Sequence, residues 1–288
     1  MTEGTIIKAL SGFYYVQTAE GPVTCKAKGQ FRHAGLTPLV GDRVQLEEKT
    51  GTVTAVLPRT NSFIRPAVAN VDAVVFTACA VKPVTDPFLI DRVSVIAASA
   101  GCRFIIVLNK CDLDPADELY RIYKEAGFET FRTSAATGEG LPRLLEALQG
   151  KRSVFTGNSG VGKSSLLNRM VPGADIETGE ISEKLGRGRH TTRHVEFYSL
   201  GPDTFIADTP GFASFEVGMI ADITSEELQY DFLEFEPFLG KCRFNDCCHL
   251  VEPDCAVTEA VKNGQISASR HASYVRLYDI VKNHRPWE

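Results

Sequence analysis

The sequence lacks any run of about 18 consecutive apolar residues, the length that a membrane-crossing helix needs, so no spanning segment is expected in its 288 residues. It also lacks a positively charged and then apolar start, since Met1-Thr2-Glu3-Gly4 begins nothing like a secretory leader. These two absences place the expectation in the cytoplasm, with no membrane partner. Cysteines stay reduced there, so the eight present are expected to be core residues or metal ligands before they are disulfides. An excess of positive charge is missing too. The net charge of −5 argues mildly against a nucleic-acid binder, although a total conceals local patches. What is present, 43% apolar and 23% charged residues, suits a soluble globular chain with room for two or three cores.

Residues 1–62 read as five short strands: Thr5 to Leu10, Phe13 to Gln17, Pro22 to Lys26, Asp42 to Leu46 and Gly51 to Leu57. The turn signals Ser11-Gly12, Glu20-Gly21-Pro22 and Val40-Gly41-Asp42 fall between them at the spacing of a small barrel. Five such strands suit an OB-fold, whose sheet face commonly binds oligonucleotides. The block holds seven Lys and Arg against five Asp and Glu, slightly basic within an acidic chain.

From Asn70 longer apolar strands alternate with helices, the pattern of a parallel sheet. Strands are expected over Val71–Thr77, Arg103–Leu108, Glu129–Arg132, Ser153–Thr156 and Thr204–Ala207, and helices over Asp91–Ala100, Glu118–Ala126, Leu141–Leu148 and Leu166–Met170. The chemistry sits at strand ends. Gly157-Asn158-Ser159-Gly160-Val161-Gly162-Lys163-Ser164-Ser165 lies between a strand and a helix and is a phosphate loop. Its glycines allow successive N–H groups to face phosphate oxygens, Lys163 reaches the β and γ phosphates, and the Ser164 hydroxyl suits Mg²⁺. Asn109-Lys110-Cys111-Asp112 follows a buried strand where open α/β sheets bind ligands. The Asp112 carboxylate accepts guanine N1–H and the exocyclic amine, whereas adenine presents an acceptor there and leaves the carboxylate unpaired. Asn109 ties this loop to neighbouring backbone, the Lys110 stem covers a face of the base, and Thr133-Ser134-Ala135 offers backbone N–H groups, from Ser134 and Ala135, to guanine O6.

Asp208-Thr209-Pro210-Gly211 adds a carboxylate for Mg²⁺ through water and, at Gly211, an N–H for the γ-phosphate. The glycine-loosened, basic segment from Gly186 to His194 carries Thr191 and Thr192, of which Thr192 is favoured as the second Mg²⁺ ligand. The residue after Gly211 is Phe212 and not the water-orienting glutamine of many GTPases, which leaves His190 as the nearest titratable candidate, beside Lys163 and Thr192, for the catalytic step. Clustered near the carboxyl end are Cys242, Cys247, Cys248, His249 and Cys255; three thiolates and an imidazole make a closed, structural zinc set. Cys25, Cys79, Cys102 and Cys111 read as small buried hydrophobes. Residues 222–240 read as an acidic helical stretch, and the tail helix, with Arg270, Arg276, Lys282 and Arg285 against Asp279, reads as a basic contact surface.

The guanine loop precedes the phosphate loop, the reverse of an ordinary GTPase. A circular permutation produces this order if the former termini are joined, and Leu141–Leu148 running into Arg152-Ser153-Val154 is such a join. With strands before and cysteines after, the chain resembles the RsgA family of circularly permuted GTPases over essentially its whole length. The resemblance implies a multidomain fold: an OB-fold β-barrel (1–62), a circularly permuted α/β P-loop GTPase domain (63–218) and a helical zinc-binding domain (219–288). It implies GTP hydrolysis to GDP stimulated by the small (30S) ribosomal subunit late in its assembly, contact with 16S rRNA, and a monomer. The cofactors expected are GTP/GDP, Mg²⁺ and one Zn²⁺ per chain. It also picks Cys247 over Cys248, giving Cys242, Cys247, His249 and Cys255. Two rival readings are a nucleotide-gated RNA-binding module with incidental hydrolysis and a metabolic P-loop kinase; the guanine loop disfavours the kinase.

Overall fold

The computed structural model describes residues 2–29, 31, 35–64, 66–174, 176, 195–208 and 223–283. In chain order the elements are β1 (Thr2–Leu10), β2 (Phe13–Thr18), β3 (Gly21–Ala27), β4 (Arg43–Glu47), β5 (Thr52–Val56), β6 (Ser62–Ile64), β7 (Ala67–Ala69) and β8 (Ala73–Ala78). Then come α1 (Pro87–Ser99), β9 (Arg103–Leu108), α2 (Asp117–Glu125), β10 (Glu129–Arg132), α3 (Leu141–Leu148), β11 (Arg152–Gly157), α4 (Lys163–Met170), β12 (Glu196–Gly201) and β13 (Thr204–Asp208). Two 3₁₀ helices (Leu228–Asp231, Leu233–Phe238), α5 (Ala256–Lys262) and α6 (Ala268–Asn283) complete the described residues. They form two compact units, one within Met1–Val74, Leu141–Thr156 and Gly162–Phe212, the other within Val75–Gly140, Gly157–Val161 and Ala213–Glu288. Among the described residues no helix is long and apolar enough to cross a membrane.

In the first unit β1 to β5 close into a barrel: β1 pairs with β2, β2 with β3, β3 in parallel with β5, β5 with β4, and β4 back to β1. This is the five-stranded OB arrangement that the strand spacing predicted. Alternation along the strands turns Ile6, Val16, Cys25, Val44, Leu46 and Val53 inward, and fully burying such a side chain stabilises by about 1.5–3 kcal/mol.

The barrel is not a separate bead. Its first strand also pairs antiparallel with β12, with Lys8 opposite Glu196 and their side chains 2.8 Å apart. Gly41, at a positive φ of 91°, presses its bare Cα against the next layer; a Cβ there would lie 2.0 Å from the Ala69 carbonyl oxygen and 3.2 Å from the Phe197 ring. Beside it the fully buried Asp42 carboxylate takes a two-pronged contact from Arg59, Nε and Nη2 each at 2.7 Å. The same unit continues through β12, antiparallel to β13, and β13, parallel to β11. The β6–β7 hairpin has no counterpart in the sequence reading; at three residues per strand it is too short to show a period.

The second unit carries the strands β10-β9-β8 in that order, β9 and β10 parallel, and every residue of β8 is buried. Such continuous apolar runs belong to a sheet covered on both faces. Asp86 caps α1 by accepting the Phe88 N–H at 3.0 Å, with Pro87 in the first helical turn, so the helix begins a turn before the expected Asp91. Cys25, Cys79 and Cys102 are buried as expected, whereas Cys111 is half-buried with its Sγ 3.1 Å from the Leu108 carbonyl oxygen.

The acidic stretch before the cysteines is helical in the form of two short 3₁₀ helices, the second containing Pro237. A correction concerns the tail. Arg270, assigned from the sequence to a basic contact surface, is completely buried. Its Nη1 meets Asp91 Oδ1 at 2.7 Å and its Nε meets Glu234 Oε1 at 2.6 Å. Tyr123 donates to the same Asp91 oxygen at 2.8 Å, and the Phe232 ring lies 4.6 Å below the guanidinium. One arginine thereby links α6 to α1, α2 and the second 3₁₀ helix. The sequence reading missed this because the partners are remote in the chain and the helix pattern shows only the arginine.

Removing one member of such a cluster strands the others. Arg270→Ala is expected to destabilise the chain by about 3–5 kcal/mol, the range for breaking a buried ion pair, and Arg270→Lys to recover only part, because an ammonium cannot serve two carboxylates with a planar fork. Denaturant unfolding of the full chain measures both; a change below about 1 kcal/mol for Arg270→Ala would contradict the role given to the cluster.

Candidate nucleotide and metal sites

Asn109 leaves β9 with its side chain buried at 2% exposure. A buried amide has a donor and an acceptor to satisfy. Here Nδ2 donates to the Val161 carbonyl at 2.9 Å and Oδ1 accepts the Ala135 N–H at 3.0 Å. The guanine loop, the first part of the phosphate loop and the Thr133-Ser134-Ala135 turn are thus joined through one side chain. Lys110 reinforces the joint from a positive φ of 64°, its ammonium donating to Gly160 O at 2.7 Å and Lys82 O at 3.0 Å. Asp112 is exposed and free of the protein core. Ser134 is buried; its N–H donates to Glu139 O at 3.1 Å and its hydroxyl accepts the Thr137 N–H at 3.1 Å. The two amides assigned from the sequence to guanine O6, those of Ser134 and Ala135, therefore carry partners within the loops themselves.

The phosphate loop leaves β11 at Gly157, where φ is 142° and a Cβ would sit 2.2 Å from the Thr77 carbonyl oxygen. Only glycine fits there. Asn158 is half-buried, Ser159 and Gly160 are exposed, Val161 is buried, and Ser165 faces solvent on the first turn of α4. Within the first unit α4 opens at Lys163, directly after Gly162. The Lys163 ammonium pairs with Asp208 at the end of β13, and the Ser164 hydroxyl donates to the other Asp208 oxygen at 3.2 Å. The parallel pairing of β11 with β13, Phe155 opposite Asp208, sets this arrangement. An ammonium and a hydroxyl that meet one carboxylate are the donor types that a magnesium–phosphate group takes, oxygen for the metal and cation for the phosphate. His190, Thr191, Thr192 and Gly211 lie outside the described residues.

Cys242, Cys247, His249 and Cys255 come together, with their four ligand atoms all within 4.8 Å of one another. His249 Nδ1 lies 3.5 Å from Cys242 Sγ, 3.5 Å from Cys247 Sγ and 3.4 Å from Cys255 Sγ, and the Cys242 and Cys255 sulfurs are 3.8 Å apart. A tetrahedron with Zn–S bonds of about 2.3 Å has edges of about 3.8 Å, so the cluster has the size of a zinc site. Cys248 is turned away, its Sγ accepting the Tyr278 hydroxyl at 3.0 Å. Burial keeps the His249 imidazole below its ordinary pKa and therefore neutral at pH 7, the state a ligand needs. Burial likewise raises the Cys247 thiol to about 12, which a cation among the sulfurs would reverse.

Two residues at this cluster were not found by sequence reasoning. Glu252 folds the loop between the ligands by accepting the N–H groups of Cys248 at 3.1 Å, Leu250 at 2.8 Å and Val251 at 3.1 Å. Its position between His249 and Cys255 was the available signal. Gln229 meets the outer nitrogen of His249, and nothing in the spacing marks it.

The RsgA GTPase profile matches residues 56–218 and the RsgA N-terminal domain profile matches residues 3–56. The chain is 44% identical over 286 residues to the small ribosomal subunit biogenesis GTPase RsgA of Caldanaerobacter subterraneus, covering 97% of this chain and 96% of that one. It is 41% identical over 293 residues to the protein of the same name from Alkaliphilus metalliredigens, covering 99% of each. Among solved structures it is similar to YjeQ from Thermotoga maritima, with a TM-score of 0.81, 36% identity and 99% of each chain covered. YloQ, described as a circularly permuted GTPase, gives a TM-score of 0.81 and 35% identity over 99% of this chain and 96% of that one. With barrel, permuted motif order and cysteine cluster all in place, the chain belongs to the RsgA GTPase family.

Proposed function

We propose that this GTPase hydrolyses GTP to GDP and phosphate during biogenesis of the small (30S) ribosomal subunit, is stimulated by that subunit, and contacts 16S rRNA. The relatives are small ribosomal subunit biogenesis GTPases by name, which supports the partner. The observation that supports the chemistry is the Asn109 amide, which joins guanine loop, phosphate loop and the 133–135 turn at 2.9 and 3.0 Å. In this reading Asp112 accepts from guanine, flanked by Lys110, Ser134 and Ala135; residues 157–165 cradle the phosphates and Lys163 neutralises them. Ser164 and Thr192 would hold Mg²⁺ with Asp208 behind them, the metal supplying charge neutralisation on the phosphate oxygens. Gly211 would meet the γ-phosphate and His190 would orient the attacking water. One Zn²⁺ would sit on Cys242, Cys247, His249 and Cys255, a closed and therefore structural set. The chain works as a cytoplasmic monomer divided at 62/63 and 218/219.

The barrel supplies the RNA contact in this reading. Phe13 on β2 stands opposite Lys26 on β3, and the Lys26 ammonium lies 4.8 Å over the Phe13 ring, which is 40% exposed. An exposed aromatic with a cation on the β2–β3 face suits a stacked base beside a phosphate. Removing the barrel altogether would be a poor test, because β1 pairs with β12 and Gly41 seats Ala69 and Phe197. Point changes are cleaner.

The free protein is expected to hydrolyse GTP slowly and purified small subunits to accelerate it, by up to about 10³–10⁵ if one missing charge-stabilising group is supplied. Equal turnover of ATP and GTP, or no stimulation by the subunit, would remove the assignment. Asp112→Asn exchanges an acceptor for a donor and is expected to weaken GTP and favour xanthosine triphosphate in a binding competition. Phe13→Ala with Lys26→Glu is expected to leave unstimulated turnover unchanged, weaken subunit binding and flatten its dependence on log[salt] by about one unit per lost phosphate contact; an unchanged salt slope would move the docking face elsewhere. Metal analysis is expected to find one zinc per chain, retained after Cys248→Ala and lost or weakened after Cys247→Ala.

A further inference from the structure

His249 presents two nitrogens, and only one can face the three sulfurs. Nδ1 lies 3.4–3.5 Å from them, while Nε2 points outward and is 2.9 Å from Gln229 Oε1. Which nitrogen carries the proton is a matter of hydrogen-bond logic, and here the logic closes. The Gln229 amide nitrogen donates to the Glu226 carbonyl at 2.8 Å. A carbonyl only accepts, so the amide cannot be turned round without setting two oxygens against each other. Its Oε1 must therefore face His249 and take a proton from Nε2, which leaves the Nδ1 lone pair bare and aimed into the cluster.

The support for Gln229 is built locally and does not borrow from the four ligands. Gln229 lies in the 3₁₀ helix Leu228–Asp231. The turn that leads into that helix is closed by reciprocal bonds of the capping-box kind: Thr224 N–H and Oγ1 donate to Glu227 Oε2 at 3.1 and 2.8 Å, and Glu227 N–H returns to Thr224 Oγ1 at 3.2 Å. The imidazole is packed by the Phe235 ring, edge-on at 6.2 Å between centroids, and by Tyr274 at 6.4 Å, while His271 bonds the His249 carbonyl at 2.8 Å.

We propose that Gln229 is the positioning residue of the metal centre, fixing Nδ1 as the ligand atom of His249 and fastening the centre to the 224–231 segment. This rests on the zinc reading above. Partners of this kind orient a ligand and raise its basicity, and their loss typically lowers metal affinity 10–100-fold.

The test uses the full-length chain and zinc, titrated in competition with a chromophoric chelator. Gln229→Leu is expected to weaken zinc about 10–100-fold, and Gln229→Glu, which keeps an acceptor, to retain most of the affinity. In the unmodified zinc-loaded protein, nitrogen NMR of the histidines should show His249 protonated at Nε2 and metal-bound at Nδ1, a readout that stands even if a variant folds poorly. Zinc bound through Nε2, or Gln229→Leu binding as tightly as the unmodified chain, would overturn the role of Gln229 while leaving the metal centre intact. An unmodified chain that takes up no zinc would overturn the metal reading itself, and this proposal with it.

Discussion

A single buried amide is the constraint on which the nucleotide loops depend. Asn109 has one donor group and one acceptor, both out of water, and each is satisfied by backbone from a different loop. Leaving either unpaired costs about 1–3 kcal/mol, so the three loops hold their places together or not at all. Other constraints point the same way. Gly157 is pressed on the Thr77 carbonyl, and the Lys110 ammonium bridges the Gly160 and Lys82 carbonyls. The phosphate loop is thus positioned by hydrogen bonds to its carbonyls and by close packing at Gly157.

This explains why circular permutation is tolerated. The contacts that assemble the loops run through side chain and backbone at strand ends, and none requires that the phosphate loop come first. What permutation does change is the neighbourhood of Asp208. The carboxylate that pairs with Lys163 and Ser164 ends β13 in the first unit, while the chain that follows leads to Thr224 and the 3₁₀ helices of the second.

Much of this was legible in the sequence, because the informative signals are local. Strands β9 and β10 and helix α3 fall on the residues their periodicity indicated, since apolar runs bounded by Gly, Asn and Thr leave little choice of ends. The barrel strands were equally plain, each bracketed by a turn signal. The spacing of Cys242, Cys247, His249 and Cys255 brought four ligands together, yet could not by itself separate Cys247 from Cys248; the Tyr278 hydroxyl that holds the Cys248 sulfur is thirty residues away in the chain. Arg270 failed for the same reason. A helical arginine beside other cations looks like surface, and only the remote Asp91 and Glu234 carboxylates make it core. Polar groups inside a fold are specified by partners, and partners distant in sequence leave no local mark.

The carboxyl-terminal part shows how a small module manages with few apolar residues. Leu228 and Phe235 of its two 3₁₀ helices, and Phe232 between them, are buried, with the Tyr274 ring of α6 against both phenylalanines. Two polar devices supplement this packing. The Arg270 cluster binds α6 to α1 and α2, where desolvation of the guanidinium is offset by two carboxylates and by the rings of Phe232 and Phe128. The cysteine cluster meets α6 as well, through the Tyr278 hydroxyl on the Cys248 sulfur and the Tyr274 ring beside His249. Phe235 and Tyr274 face both devices, Phe235 meeting Phe232 at 5.2 Å and His249 at 6.2 Å between ring centroids. Because interiors are close-packed and deform little, the orientation of His249 is set partly by the helix that Arg270 holds down. The residue mistaken for surface is therefore one of the supports beneath the metal cluster.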